Sequence, residues 1–373
     1  MKIGILHTAF IGDVILSGLL VEAIHAAGHE IIYFTKKNTC IIFAHDVRVK
    51  KVVEIHKGKG LGKIFAIKKI AAQIQKECLD VLIVPHKSAT STLCATLANV
   101  KQTIGFENAA LSFLYSNKVP FEKNAHECVR YLALLKDIVP KELLNIYRKL
   151  SRPVLKYNHE IYSQFDNKFA DYKFNSQPPI PFTQIKENFF ILAVGSVWKT
   201  KKYPIEYWTE VAFQFLLKHE NYYCVLTGGG ADEQDANLFI KLFYEKCISH
   251  DHHSVEKRLV SAVNLFSLLE FALFTSYAKF VLSNDSSPVH FASAFNVPVL
   301  AVFGPTVPEF GFAPTSSKNV VVSYVDEAGK RLPCQPCSIH GKNVCPKGHF
   351  KCMKNLKPET VMTGVEKLLH DNH

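Results

Sequence analysis

Short apolar runs alternate with longer amphipathic stretches along nearly the whole chain. That alternation predicts strands and helices in turn, and hence α/β layers. In the first half, residues 2–7, 30–35, 81–84 and 102–105 read as strands. Residues 13–27, 61–76, 89–98 and 126–138 read as helices. The pattern breaks at residues 175–188, where Pro178, Pro179 and Pro181 interrupt it. A second set then opens, with strands at 189–194, 222–227, 280–282 and 297–303. Helices near 206–218, 232–246 and 265–275 separate them. Each half begins with a strand, a polar turn and a helix. Two domains are therefore expected, residues 1–175 and 186–355. Residues 356–373 read as a closing helix able to pack back on the first domain.

Composition narrows the class. With 373 residues and 48% hydrophobic side chains, there is material for two packed cores. The formal net charge of +11 suggests an anionic partner: nucleic acid, a phosphorylated ligand or an acidic membrane surface. Solubility alone is the plain alternative. The apolar start at residues 3–6 is interrupted by Asp13, and no run reaches the length of a membrane span. A cytoplasmic protein, at most peripheral to a membrane, is expected. Its ten cysteines should then be mostly reduced. Six are scattered and read as small core residues. Four cluster near the end.

The most informative stretch is 283–305. An apolar strand ends at Asn284-Asp285, a helix starts at Ser286-Ser287-Pro288, and a second apolar strand ends at Gly304-Pro305. Free N–H groups at such a helix start seat a phosphate, with Asp285 and His290 beside it. Three further segments carry chemistry. In residues 7–16, Gly12 permits a tight turn after the first strand and Asp13 follows at the helix start. Asp13 reads either as a helix cap or as a proton acceptor. In residues 195–204, Lys199, Lys201 and Lys202 follow a strand, where α/β sheets bind ligands. They read as diphosphate contacts or as a solvated loop. In 227–235, three glycines permit close approach to a ligand or form an ordinary turn. No GxGxxG follows the first strand, which argues against a dinucleotide site.

Taken in order, Phe-Ile-Gly-Asp-Val-Ile-Leu (10–16), Gly-Ser-x-Trp-x-x-Lys-x-Tyr-Pro (195–204), Gly-Gly-Gly-Ala-Asp-Glu (228–233) and Asn-Asp-Ser-x-Pro-x-His-x-Ala (284–292) resemble the ADP-heptose:lipopolysaccharide heptosyltransferases. His126-Glu-Cys-Val-Arg130-Tyr-Leu and the Cys-Gln-Pro-Cys tail resemble that family too. The resemblance implies a GT-B fold, two Rossmann-like domains facing across a cleft, with acceptor in the first and ADP-sugar in the second. It implies an inverting transfer of heptose from ADP-L-glycero-D-manno-heptose to the lipopolysaccharide inner core, of type II by preference, with no cofactor and no metal. Asp13 then matches the general base. Lys201 matches the donor-phosphate lysine and Asp285 the acid that holds the heptose. Ser286, Ser287 and Val289 match the phosphate-binding helix start, with His290 at a matching position. Ser196, Gly229 and Glu233 join the donor side. Gly12, Lys87, His126 and Arg130 join the acceptor side.

The chain departs from the family pattern at Lys202-Tyr203-Pro204, where Arg-Trp-Pro is common. It departs again at Ser287, where glycine is common, and at His86-Lys87-Ser88, where the family's His-Arg-Ser segment falls. The basic charge gains an object in an anionic acceptor at the cytoplasmic face of the inner membrane. Lys57 and Lys59, with Lys63, Lys68 and Lys69 beyond them, read as an acceptor-side patch or a solvated face. Two rival readings remain: a GT-B transferase using another nucleotide sugar, or a non-catalytic basic binding protein. Nucleic acid is disfavoured because the lysines are dispersed and no recognition motif accompanies them. Cys334, Cys337, Cys345 and Cys352 permit a four-thiolate zinc knot, with His340 and His349 as substitutes, two disulfides, or free thiols.

Overall fold

The structure is a computed structural model that describes residues 1–58, 60, 62–174, 176 and 179–370. Lys59, Asn175 and Pro178, singled out above, lie outside the described residues. The chain divides into two compact units, Met1–Ile161 and Tyr162–His373.

The first unit is a parallel sheet of six strands: β1 (Lys2–Leu6), β2 (Glu30–Lys36), β3 (Lys51–Ile55), β4 (Val81–Val84), β5 (Gln102–Phe106) and β6 (Asn117–Val119). Their order is β3-β2-β1-β4-β5-β6. Ile3 aligns with Ile31 on one side and Val81 on the other. All four residues of β4 are buried, as a central parallel strand covered on both faces requires. The winding reverses between β1 and β4, so the loops that follow these strands border the crevice where such sheets bind ligands. Edge strand β3 escaped the sequence reading because its KVVEI pattern is only half apolar and half buried. The first helix is split into Ile11–Leu16 and Gly18–Ala26. A Cβ on Gly18 would stand 2.3 Å from the Val154 carbonyl oxygen, so the backbone there is closely approached. Beside it, buried Arg48 pairs with Asp46 at 2.5 Å and Glu22 at 2.7 Å and donates to the Val154 carbonyl. This network pins the end of the unit to its first helices.

The second unit repeats the plan. A short antiparallel pair, β7 (Lys173–Phe174) and β8 (Ile180–Pro181), precedes six parallel strands. These are β9 (Phe189–Ala193), β10 (Tyr223–Gly228), β11 (Leu259–Val263), β12 (Phe280–Asn284), β13 (Val299–Phe303) and β14 (Asn319–Ser323). Their order is β11-β10-β9-β12-β13-β14, so the reversal falls between β9 and β12. The boundary lies earlier in the chain than the proline-rich stretch. Phe165, Phe169, Phe174 and Phe182 pack against one another and against Phe274 and Tyr277, mostly edge-to-face or tilted, which draws the described residues of 162–185 into the second core. The closing helix, Pro358–His370, packs on β13, β14 and the helix Ile205–Lys218. Its buried stripe of Val361, Gly364, Val365 and Leu368 belongs to this core.

Candidate active site

In the first unit, the turn after β1 leads into the helix Ile11–Leu16, whose second and third residues are Gly12 and Asp13. The Phe10 N–H donates to the Asp13 carboxylate at 3.2 Å. The residue is half-buried. Burial, and then the neighbouring Glu127, raise its pKa to about 6. His7, at the end of β1, is buried with Nε2 3.1 Å from the Tyr131 hydroxyl. Its Nδ1 has no hydrogen-bond partner among the described residues. Burial, followed by His86 and two lysines, holds this ring well below the usual histidine range, so it is neutral at pH 7. His86, after β4, has Nδ1 2.8 Å from the Thr8 hydroxyl and a pKa lowered to about 4 by burial and then Lys57 and Lys36.

Lysines crowd the same strand ends. Lys36 closes β2, Lys57 follows β3, and both line an open pocket with Lys37, Asn38, Ile55 and His56. Burial and then Lys36 push the Lys57 ammonium down to about 8. Lys87 lies 3.7 Å above the Phe121 ring, and burial lowers its pKa too. Arg130 stands over the other reach of that ring, 4.6 Å away. Arg130 is itself buried, bonding Glu127 at 2.7 Å and the Glu122 carbonyl at 2.8 Å. Its charge is thus spent largely on holding Glu127 and the preceding loop. His126 is the N-cap of the helix Glu127–Ala133, its Nδ1 accepting from the Cys128 N–H at 3.3 Å. Of the residues expected on the acceptor side, Gly12 follows β1 and Lys87 follows β4, beside the reversal of winding, whereas His126 and Arg130 shape the helix Glu127–Ala133 and the loop before it.

In the second unit, Lys201 and Asp285 meet. The ammonium lies 2.6 Å from the carboxylate, and the Thr306 hydroxyl donates to the same carboxylate at 2.6 Å. Asp285 follows β12 and Ser286 caps the helix Ser287–Ala294 in an extended conformation, with Pro288 near its first turn. Val289 and His290 are buried in that turn. At the helix start Pro288 has no N–H and the Val289 N–H donates to the Ser286 carbonyl at 3.2 Å, so it is the Ser287 N–H that can favour an anion there. Asn284 braces the site: its amide donates to the Val194 carbonyl at 2.7 Å, and its oxygen accepts from the Tyr203 N–H at 3.0 Å. Ser196 lies on the loop so braced, its hydroxyl accepting from the Trp198 N–H at 3.4 Å.

Gly229 donates its N–H to Asp232 at 3.1 Å, and Glu233 accepts from Asn264 at 3.5 Å. Asp232 also explains the glycines around it: a Cβ on Gly195 would lie 2.3 Å from its side chain. Lys202 pairs with Asp235 at 2.6 Å, which removes it from the pool of free phosphate ligands. Thr306, Asn284, Glu127 and the His7–His86 pair were not singled out from sequence as site residues. Thr306 follows the Gly304-Pro305 strand end, and that adjacency was the available signal.

The cysteine tail lies against loops of the second sheet. Cys334, Cys337, Cys345 and Cys352 are free thiols. Burial, then the other three thiols, push Cys352 up to about 12. Among the described residues, no group of three or more His, Cys, Asp or Glu is gathered to hold a metal. The tail buttresses the loops after β9 and β13. Gln335 donates to the Gly304 carbonyl at 2.6 Å, and Thr200 donates its N–H to the Lys342 carbonyl at 3.0 Å.

Two six-stranded Rossmann-like sheets, each with charged side chains gathered at its switch point, define an α/β architecture of the GT-B class. The sequence profile of glycosyltransferase family 9 (heptosyltransferase) matches residues 67–339, and the chain belongs to that family. It is 28% identical over 233 residues to lipooligosaccharide heptosyltransferase 2 of Campylobacter jejuni, a match covering 60% of this chain and 66% of the relative, just under two thirds of its length. The fold is shared with a glycosyltransferase family 9 structure from Veillonella parvula, at a TM-score of 0.77 and 18% identity, covering 99% and 97% of the two chains. It is shared also with E. coli ADP-heptose lipopolysaccharide heptosyltransferase II, at a TM-score of 0.73 and 19% identity over the whole of both chains.

Proposed function

We propose that this chain transfers heptose, with inversion, from ADP-L-glycero-D-manno-heptose to the lipopolysaccharide inner core, with an already attached heptose as acceptor. The observation that carries this reading is Asp13. It is ionised at neutral pH yet basic enough, at about 6, to take a proton from a sugar hydroxyl. The family's description and the names of the C. jejuni and E. coli relatives support the choice of sugar and acceptor.

In this reading Asp13 removes the acceptor hydroxyl proton as that oxygen bonds to the anomeric carbon. The bond from that carbon to the ADP oxygen breaks, and ADP leaves with the electron pair. Charge grows on the leaving diphosphate, where Lys201 and the helix start at Ser287 stabilise it more than in the ground state. When the phosphate draws Lys201 away, Asp285 keeps its bond to Thr306 and accepts from heptose hydroxyls. Ser196, Gly229, Glu233, Val289 and His290 shape the donor side. Lys87 and Gly12 border the acceptor, with His126 and Arg130 positioning. The acceptor is lipid-borne, so the enzyme works as a peripheral protein at the cytoplasmic face of the inner membrane. Among the described residues, no helix is long and apolar enough to cross it.

A donor panel of ADP-, UDP- and GDP-sugars with purified inner-core acceptors tests the reading, and mass analysis of lipopolysaccharide from a deletion strain identifies the acceptor. Transfer only from ADP-heptose, with truncation after the first heptose, is expected. Transfer from a UDP- or GDP-sugar alone would replace the donor assignment, and truncation before any heptose would move the acceptor to the innermost acid sugar.

A further inference from the structure

The helix Gly62–Gln75 buries Ile67, Ile70, Ala71 and Ile74 against the first unit's core. Its first turn does the opposite. Ile64 is 61% and Phe65 75% exposed, side by side. Lys63, Lys68 and Lys69 surround them and are exposed as well. From residue 55 to residue 76 the sequence contains no Asp or Glu. The turn follows β3, so it lies at the same edge of the parallel sheet as the loops after β1 and β4, which carry Asp13 and Lys87. Lys63 is close enough to help depress the Lys57 pKa, which ties the turn to the lysine pocket.

We propose that this turn is the membrane-docking surface of the protein: Ile64 and Phe65 enter the headgroup region of an anionic bilayer while the surrounding lysines contact its phosphates. Two adjacent apolar side chains are far too little for a stable protein interface, which needs roughly 800 Å² on each partner. They suit shallow, reversible insertion, where apolar burial and attraction to anionic lipid add together. The unbroken positive charge supplies the complementarity. The inference rests on the proposed function only in giving docking a purpose: it would bring the acceptor-side edge of the sheet to a lipid-borne acceptor.

Flotation of the full chain with phosphatidylcholine vesicles, with and without about 30 mol% phosphatidylglycerol, tests it. Binding should require the anionic lipid and should collapse at about 1 M salt, where the Debye length falls to roughly 3 Å. The double substitution Ile64→Ser, Phe65→Ser should lower the bound fraction at least fivefold. It should leave the melting temperature and transfer to a short, water-soluble acceptor oligosaccharide unchanged. Phe65→Trp should show a blue-shifted emission when anionic vesicles are added. Equal flotation of the double variant, or no spectral shift, overturns the proposal. So does a double variant that loses self-association in sedimentation while still floating, since that marks a protein contact. Failure of heptose transfer by the wild type would sink the proposed function but leave the flotation result standing.

Discussion

The two switch points are built alike and charged differently. In the second unit the decisive groups are neutralised in place: Lys201 by Asp285, Lys202 by Asp235. In the first, lysines and histidines are pressed together with little to balance them. Among the described residues, neither Lys36 nor Lys57 lies within salt-bridge distance of a carboxylate, and Lys57, His7 and His86 all have lowered pKa values. Asp13 stands in that setting with a raised one. A paired site is preorganised and exchanges one partner for another when a diphosphate arrives. A crowded site holds charges that only a ligand can relieve. The same architecture thus carries two electrostatic designs, one paired and one crowded.

The largest effect should come from the residue that differs most from a structural role. Asp13→Asn keeps the shape and the Phe10 contact but cannot accept a proton. It should cut kcat by roughly 10²–10⁴ while ADP affinity by calorimetry stays within about twofold. Near-normal turnover would leave Asp13 as a helix cap only. On the other side of the comparison, Lys201→Ala should weaken ADP binding by about thirtyfold or more and lower the melting temperature, because it strands the nearly buried Asp285 carboxylate. An unchanged ADP affinity would mean that the pair is a scaffold, not a phosphate seat.

The pH profile sharpens the contrast. Asp13 must be ionised to act, so kcat/KM should fall about tenfold per unit below pH 6. The stability sign is opposite. A carboxyl raised from 3.8 to about 6 binds its proton more tightly when folded, so the fold loses stability as pH rises through that window. Asp13→Asn should therefore melt higher than wild type at pH 7, and a lower melting point would contradict the burial that raises this pKa.

The strands of both sheets were legible where they are fully buried, as at β4, β9 and β12, since continuous apolar runs leave little choice. Edge strand β3 and the helix Lys37–Ala44 were not, because their patterns are diluted by residues facing water. Asp13, Lys201 and Asp285 could be picked out as chemistry-bearing residues. Their electrostatic state could not, because it depends on Glu127, Thr306 and Lys36, which lie far away in sequence and arrive only with the fold. The packing of the cysteine tail was hidden for the same reason. Spacing does not reveal that the segment braces Gly304 and the Lys201 turn.

The smallest predicted effect discriminates most finely between the two designs. Lys57 has a folded pKa near 8 against 10.5 for the free side chain. Between those values the unfolded chain binds more protons, so stability should rise as pH climbs from 8 to 10.5, and the charged form at pH 7 opposes folding. Lys57→Met should thus raise the apo melting temperature by about 2 °C and raise the acceptor KM severalfold with kcat nearly unchanged. Lys201→Ala moves both stability and ligand binding downward. If Lys57→Met instead lowers the melting point, the lysine cluster is a structural feature like the Arg48 network, and the contrast between a paired and a crowded switch point does not hold.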